Sequence, residues 1–275
     1  MDFYRKKLKS VLRGSKTVKD ESADRKLSYQ VTNFQHIGAR ANQEDSFAVI
    51  NGLDVTKIAR QGLFAAIADG MGGMAEGKAV SQHTISRMIE AFHGLNDDAG
   101  IGKQLSIATK QISDEIYQVF DGMGGSTLIA ALIRNACLHW VSVGDSSLFL
   151  YRGERLIQIN EEHTVQNEML EDQLHQESID KQEILEDPEG ERLSQFIGKD
   201  VLDKTDYSQT PLKLRDKDVI LLCSDGVSKF ISENEISSIL AQNISQIEHS
   251  FIQTVLEKSQ RGQDNFTGIV IKCVY

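Results

Sequence analysis

Residues 63–73 read Leu-Phe-Ala-Ala-Ile-Ala-Asp-Gly-Met-Gly-Gly, an apolar run that ends in an aspartate and a glycine-rich turn. The apolar part, 63–68, is typical of a short buried strand. An acid at the end of a buried strand is rigidly placed, and a neighbouring glycine lets the backbone approach closely. Two further stretches have related patterns: Leu-Leu-Cys-Ser-Asp-Gly at 221–226 and Val-Ser-Val-Gly-Asp-Ser at 141–146. If these strand ends converge, their acids form a cluster of hard oxygen ligands, which Mg²⁺ and Mn²⁺ prefer.

The spacing of apolar residues elsewhere predicts which elements surround these strands. Periods of three and four predict helices, while paired apolar runs around short polar turns predict hairpins. The predicted helices are 76–92, 101–120, 233–242 (with Ser232 as N-cap) and 247–260; the hairpins are 127–143 and 148–159; further strands are 219–223 and 267–274. Strands come in adjacent groups with helix pairs between them, so we predict an α+β domain of antiparallel sheets with helices outside.

The chain divides into a basic N-terminal segment and one large domain. Residues 1–26 carry nine of the 30 Lys and Arg residues but only four of the 40 Asp and Glu residues. We interpret this segment as a loosely held tail or a short basic amphipathic helix that could touch a membrane or a partner. Residues 27–275 then form the domain, within which 160–200 is a polar excursion of short helices and loops.

Composition excludes several classes of protein. The net charge of −10 argues against nucleic acid as a main partner, because binding phosphates needs a positive face. The sequence has no apolar run long enough to span a membrane and no N-terminal signal core, which favours a cytoplasmic protein. The three cysteines, Cys137, Cys223 and Cys273, are predicted to be buried free thiols. A thiol phosphatase would need an arginine six residues after its cysteine, but Lys229 and Val143 stand there.

Six short motifs together resemble those of the PP2C (PPM) family of metal-dependent protein phosphatases, in the bacterial form of the family. In the order of the family, they are R-A-N-Q-E-D-S (40–46), A-D-G-M-G-G (68–73), G-G-S-T (124–127), V-G-D-S-S (143–147), C-S-D-G (223–226) and D-N-F-T (264–267). The resemblance covers roughly residues 28–275. It implies two stacked antiparallel β-sheets flanked by helix pairs, an α-β-β-α sandwich. It also implies hydrolysis of phosphoserine and phosphothreonine in proteins, in opposition to a bacterial serine/threonine kinase.

The resemblance implies a role for each acidic motif. Asp69 would bridge two Mn²⁺ or Mg²⁺ ions, with the Gly70 carbonyl on one of them and Asp225 and Asp264 on the other. Glu44 and Asp45 would bind or orient the ion on the Gly70 side, and which of the two binds directly stays open. Asp145 matches a position that, with Asp225, can hold a third ion in similar bacterial enzymes. Arg40 would hold the substrate phosphate through its planar pair of donors.

Three features of the sequence limit what the resemblance implies. Met71 stands where many relatives have a histidine that protonates the leaving alcohol, so the proton donor stays unassigned. The letters of 69–73 recur at 121–125 without a preceding apolar strand, which indicates a loop and not a second metal site. The polar stretch 160–200 matches the place of a mobile flap in the family.

Two alternatives stay open: a catalytically weak relative that only binds phosphoproteins, and a phosphoesterase that acts on a small molecule.

Overall fold

The structure, a computed structural model, describes residues 26–71, 76–96, 100–173, 184, 187–258 and 262–275. Its strands are β1 (Ser28–His36), β2 (Ser46–Ile50), β3 (Leu63–Ala68), β4 (Leu128–Arg134), β5 (Cys137–Val143), β6 (Ser147–Arg152), β7 (Arg155–Gln158), β8 (Asp206–Tyr207), β9 (Leu212–Lys213), β10 (Val219–Cys223) and β11 (Phe266–Val274). One sheet has the order β1-β11-β10-β6-β7, and the other has the order β2-β3-β4-β5-β8 with β9 also paired to β5. All pairings are antiparallel.

Helices cover the outer face of each sheet. The helices of the described residues are α1 (Val55–Gln61), α2 (Gly77–His93), α3 (Ile101–Val119), α4 (Val165–Gln173), α5 (Asp225–Ser228), α6 (Glu233–Leu240) and α7 (Ile244–Lys258). The apolar faces of α2 and α3 pack on the six-stranded sheet, and those of α6 and α7 pack on the five-stranded sheet. The helix–sheet–sheet–helix layering confirms the predicted α+β sandwich.

Strand β3 shows why its sequence is a continuous apolar run. Leu63, Ala65 and Ile67 face the core between the two sheets, whereas Phe64 and its alternate neighbours face α2 and α3. Both faces of the strand are therefore covered, and all six residues are buried. At about 25 cal/mol per Å² of apolar surface removed from water, such two-sided burial makes this strand a main source of stability.

The predicted elements lie within a few residues of their observed bounds, and Ser232 caps α6 through a reciprocal capping box with Glu235. The sequence analysis did not identify β1, β2, β8, β9 or α1. Within the polar stretch 160–200, α4 is the helix that the structure describes, and residues 174–183 and 185–186 lie outside its description. The two borders of this stretch meet in an isolated bridge between Thr164 and Leu193.

The N-terminal segment falls almost wholly outside the described residues, so its interpretation as a tail or amphipathic helix stays a prediction. Among the residues that the structure covers, none of the helices is both long and apolar enough to cross a bilayer. The division of the chain into residues 1–26 and 27–275 likewise stays an interpretation from the sequence.

Candidate active site

The strand registers bring the predicted acids to one end of both sheets. Ser46 of β2 pairs with Ala68 of β3, which puts Asp45 and Asp69 side by side. In the other sheet, Cys223 at the end of β10 lies level with the start of β6 and the start of β11. The same end of the sandwich therefore receives three more acids: Asp145 after β5, Asp225 after β10 and Asp264 before β11.

Asp45 joins the two sheets at this end. Its carboxylate Oδ2 accepts hydrogen bonds from Ser224 Oγ at 3.0 Å and from Thr267 Oγ1 at 2.7 Å, both from the opposite sheet. The side chain is buried, and its Oδ1 has no protein partner. Burial raises the pKa of Asp45 to about 6, and the nearby Asp225 carboxylate also raises it, while the hydroxyl donors oppose the shift. A buried, half-satisfied carboxylate of this kind is a natural ligand for a cation.

The main chain of Asp69 is fixed, and its carboxylate faces the cluster. Its N–H donates to Thr127 Oγ1 at 3.1 Å, while its carbonyl accepts from Ser126 Oγ at 2.8 Å and from Thr127 N at 2.8 Å. Burial raises the pKa of Asp69 well above its usual range. The carboxylates of Asp45, Asp225 and Asp145 add to the rise, in that order of size. This electrostatic stress is what a bound divalent ion would relieve.

Asp145 and Asp225 share a cation from the protein itself. Lys229 Nζ lies 3.0 Å from Asp145 Oδ2 and 2.8 Å from Asp225 Oδ2. Burial raises the pKa of Asp145 to about 6, as does Asp225, although the ammonium opposes the shift. Burial would lower the pKa of Lys229, but the two carboxylates outweigh it and raise that pKa. The predicted third-ion pair is thus brought together, with an ammonium between its two carboxylates.

Gly70 allows the loop before β2 to approach the end of β3. Its N–H donates to the Glu44 carbonyl at 3.3 Å. A Cβ at this position would lie 2.5 Å from the Gly77 carbonyl oxygen and 2.7 Å from that of Glu44, closer than real contacts permit. The glycine is therefore required for close approach, and the Glu44 side chain remains half-buried at the edge of the cluster.

Arg40 and Asp264 form the outer edge of the site. Arg40 Nη2 lies 2.6 Å from Asp264 Oδ2, and the Asp264 carboxylate raises the pKa of the guanidinium. Half of the Arg40 side chain is exposed, so its remaining donors face solvent. Arg40 therefore takes its hydrogen-bonded partner from the far end of the chain.

The oxygen donors of this cluster are of the kind that hard divalent cations prefer, but in the described parts of the chain no group of three or more His, Cys, Asp or Glu side chains is placed so that it could hold a metal ion. Lys229 and Arg40 engage three of the predicted carboxylates instead. The unpartnered Asp45 Oδ1 and the raised pKa values of the buried acids carry the fit. Oxygen-only donors of this type suit Mg²⁺ and Mn²⁺.

Sequence reasoning missed two residues that organise the site. Lys229 was considered only as the wrong residue for a thiol phosphatase, and Asn265 only as part of the motif at 264–267. Asn265 Nδ2 donates to the carbonyls of residues 37 and 42 at 2.8 and 3.0 Å, and its Oδ1 accepts from Glu44 N at 2.7 Å. The sequence did contain a signal for both residues, because Asn265 directly follows Asp264 and Lys229 lies four residues after Asp225.

The cysteines take no part in the site. Cys223 and Cys273 are buried and Cys137 is half-buried, which corrects the prediction that all three are buried. Burial raises the pKa of the Cys223 thiol and raises that of Cys273 to about 12. Neither buried thiol would ionise to a nucleophile near neutral pH.

Fold and site together define a layered α+β domain with a cluster of buried acids at one end of both sheets. The sequence model of the family described as protein phosphatase 2C matches residues 29–169, which is more than half of the chain. The chain belongs to the protein phosphatase 2C family.

Similar proteins include named phosphatases. The serine/threonine phosphatase stp of Listeria welshimeri is 26% identical over 215 residues, covering 75% of this chain and 82% of that protein. Protein phosphatase PhpP of Streptococcus pneumoniae is 28% identical over 212 residues, covering 73% and 82%. The Streptococcus agalactiae serine/threonine phosphatase has the same fold, with a TM-score of 0.75 at 20% identity over 90% of this chain and all of that one. The catalytic domain of PstP, solved with two manganese ions, has a TM-score of 0.67 at 25% identity over 91% of this chain and all of that one.

Proposed function

We propose that this chain hydrolyses phosphoserine and phosphothreonine in proteins, with two Mn²⁺ or Mg²⁺ ions held at the end of the two sheets. The observation that carries the proposal is the convergence of Asp45, Asp69, Asp145 and Asp225 at that end, where burial and mutual repulsion raise the pKa values of the three most enclosed acids. Such a cluster destabilises the protein unless cations compensate it, so its presence indicates a binding function.

Each predicted residue has a place in this proposal. Asp69, at the centre, would bridge the ions; the Gly70 carbonyl and Asp45 or Glu44 would complete one side, and Asp225 and Asp264 the other. When bound, two divalent ions would lower the pKa of a water molecule in the site and would neutralise charge on the phosphoryl oxygens. The donors of Arg40 that Asp264 leaves free would orient the phosphate from the solvent side.

No protein nucleophile is needed in this scheme, because water attacks phosphorus and the ester bond to the serine or threonine oxygen breaks. The leaving oxygen takes up a proton, and Met71 cannot supply it. The donor is therefore a water molecule or another side chain at the solvent-facing edge of the cluster.

The biological setting is proposed from the relatives. Proteins named serine/threonine phosphatase stp and PhpP resemble this chain. We infer phosphoproteins as substrates, a serine/threonine kinase as the opposing enzyme, and the cytoplasm as the compartment. Nucleic acid is not an expected partner because the net charge is −10.

The metal mechanism is tested by hydrolysis of p-nitrophenyl phosphate and of a phosphothreonine peptide. We expect both reactions to require Mn²⁺ or Mg²⁺ and to stop in EDTA. We expect Asp69→Asn and Asp225→Asn to lower kcat by more than about 100-fold, comparable with losing one key transition-state contact. Circular dichroism would confirm that both variants fold.

Two outcomes would contradict the proposal. Full activity in excess EDTA would exclude the metal mechanism, and near-normal rates in either variant would mean that the centre lies elsewhere. A panel of phosphoserine, phosphothreonine and phosphotyrosine peptides beside small phosphate monoesters tests the substrate class. Preference for a small monoester over every peptide would favour the small-molecule alternative, and binding without turnover would favour the binding-only one.

A further inference from the structure

Lys229 occupies the place where the sequence predicted a third divalent ion. Its Nζ lies 3.0 Å from Asp145 Oδ2 and 2.8 Å from Asp225 Oδ2, so that one ammonium donates to both carboxylates. Asp145 belongs to the turn between β5 and β6, whereas Asp225 and Lys229 lie four residues apart at the end of β10. The ammonium thus joins the two acids across the junction of the two sheets.

The backbone holds Lys229 in a position from which its side chain reaches both acids. Lys229 N donates to the Asp225 carbonyl at 2.9 Å, which closes one helical turn and puts the two side chains on the same face. The lysine side chain lines an open cavity of about 310 Å³, together with Phe149, Ile231 and Ile236. Because 42% of the side chain is exposed, a change at this position removes the charge without opening a hole in the core.

An ammonium and a divalent ion cannot share this place. A Mg²⁺ or Mn²⁺ ion on both carboxylates would need oxygen contacts of about 2.0–2.2 Å, so it would lie where the ammonium now lies. Two cations held about 3 Å apart between the same two carboxylates would repel each other strongly. The geometry therefore permits one cation or the other between Asp145 and Asp225.

We propose that Lys229 is a built-in cation that takes the place of a third divalent ion, so that this chain binds no metal between Asp145 and Asp225. The proposal rests on the proposed function for the identity of the other two ion positions. On this proposal Asp145 would not contribute to a metal site, in contrast to what the resemblance implies. Asp145 becomes an anchor for Lys229, and this pairing keeps Asp225 beside Asp69 without a third ion.

The number of bound Mn²⁺ ions tests the proposal. We would saturate the full chain with Mn²⁺ by equilibrium dialysis and measure metal per chain by elemental analysis. Lys229→Met keeps the length of the side chain and removes its charge, so we expect it to bind one more ion than the unaltered chain. Lys229→Arg, the matched control that keeps the charge, should bind the same number as the unaltered chain.

Variants of Asp145 complete the comparison, alone and combined with Lys229→Met. Asp145→Asn alone should not lower the number of bound ions, whereas in the Lys229→Met background it should remove the extra ion. A second measurement uses thermal unfolding: Mn²⁺ should raise the Tm of Lys229→Met more than that of the unaltered chain, because the two acids lose their ammonium. Lys229→Gln is carried in parallel, so that a folding defect in one variant does not decide the result.

Equal metal content in the unaltered chain and both neutral variants would overturn the proposal. Loss of one ion on Asp145→Asn alone would also overturn it, because it would mean that a metal already lies on Asp145. This test compares the number of bound Mn²⁺ ions between variants, so its failure can be distinguished from a failure of the proposed function. That function fails instead if the unaltered chain binds no Mn²⁺ or if Asp69→Asn leaves the metal content unchanged.

Discussion

Asn265 holds the loop that carries Arg40, Glu44 and Asp45. Its side-chain amide donates to two carbonyls of that loop and accepts from the Glu44 N–H, and it is almost fully buried. Three hydrogen bonds from one side chain leave it little freedom. Its backbone N–H also donates to Asp264 Oδ1 at 2.8 Å, so the residue helps to position three of the candidate ligands, Glu44, Asp45 and Asp264.

We predict that Asn265→Ala destabilises the protein by about 3 kcal/mol, because it removes three part-buried hydrogen bonds worth about 1 kcal/mol each. It should also weaken Mn²⁺ binding by tenfold or more, since the loop that carries Asp45 is no longer fixed. Urea unfolding in EDTA measures the first effect, and calorimetric titration with Mn²⁺ measures the second. Asn234→Ala, at an exposed position of α6, is the control. Unchanged Mn²⁺ affinity in Asn265→Ala would exclude this positioning role.

At the scale of elements, the base of the polar excursion is tied to the site through His163. Its backbone N–H donates to the Gly144 carbonyl at 2.9 Å, and its Nδ1 accepts from the Gly144 N–H at 3.2 Å. The ring is buried, and burial lowers the pKa of His163 to about 4, with Lys204 adding to the shift. The residue therefore packs as a neutral imidazole between α4 and the turn that presents Asp145.

This pKa predicts a loss of stability in acid. In the unfolded chain a histidine titrates near 6.5, so between about pH 6.5 and pH 4 the unfolded state binds the proton and the folded state does not. The contribution of neutral His163 is fully present above about pH 6.5 and is lost as the pH falls through about 4. The total is up to about 3 kcal/mol.

Urea unfolding at pH 7 and pH 5 in EDTA tests this expectation. His163→Asn keeps an acceptor for the Gly144 N–H and removes the titrating ring, so its stability should depend less steeply on pH. His249→Asn, at an exposed position of α7, should keep the slope of the unaltered chain. Identical slopes in all three proteins would mean that His163 does not titrate as proposed.

The elements also show what could be predicted from the sequence. Strands such as β3 and β10 are buried on both faces, so their apolar runs are continuous and their bounds were predicted closely. β1 lies at an edge of its sheet and is buried only in part, which gives it a mixed sequence without a clear period. β8 and β9 have two residues each, too few for any pattern.

Four acids of the site were predictable for the same reason as their strands, because each follows or precedes a buried run: Asp69, Asp145, Asp225 and Asp264. Asp45 precedes β2, a half-buried strand that the pattern did not identify, so only its motif pointed to it. The partners that hold these acids were not predictable. Lys229 and Asn265 act through distances of 3.0 Å or less to groups far away in the chain or across a turn. Only the three-dimensional register of the two sheets brings those groups together, and no local period of the sequence records it.

At the scale of the whole molecule, a buried ion pair fastens the two sheets at the end away from the site. Arg152, the last residue of β6, donates to Asp218 through Nε at 2.8 Å and through Nη2 at 2.5 Å. Its Nη2 also donates to the carbonyl of Lys213 in β9, which belongs to the other sheet, at 2.9 Å. Both ionic side chains are almost fully buried.

We predict that Asp218→Asn destabilises the protein by about 3–5 kcal/mol, because it leaves the Arg152 charge buried without its partner. Arg152→Met combined with Asp218→Asn should recover part of that loss, since no unpaired charge remains. The free energy of unfolding of the two single variants and the double variant measures this coupling. A loss below about 1 kcal/mol in Asp218→Asn would place the pair with ordinary surface salt bridges. The kcat of the folded protein should not change, because the pair lies at the far end of β6.

The position of β11 in its sheet has a consequence for how the protein is made. β11 lies between β1 and β10, and the residues just before it supply Asp264 and Asn265. A ribosome that has reached only α7 has therefore produced the other four strands of this sheet, with an open gap between β1 and β10 that leaves each of these two with an unpaired edge. Neither the acidic cluster nor the loop at 40–45 can take its final form at that stage. A chain that lacks residues 264–274 would leave the proposed metal site incomplete, and its exposed strand edges would need protection from aggregation.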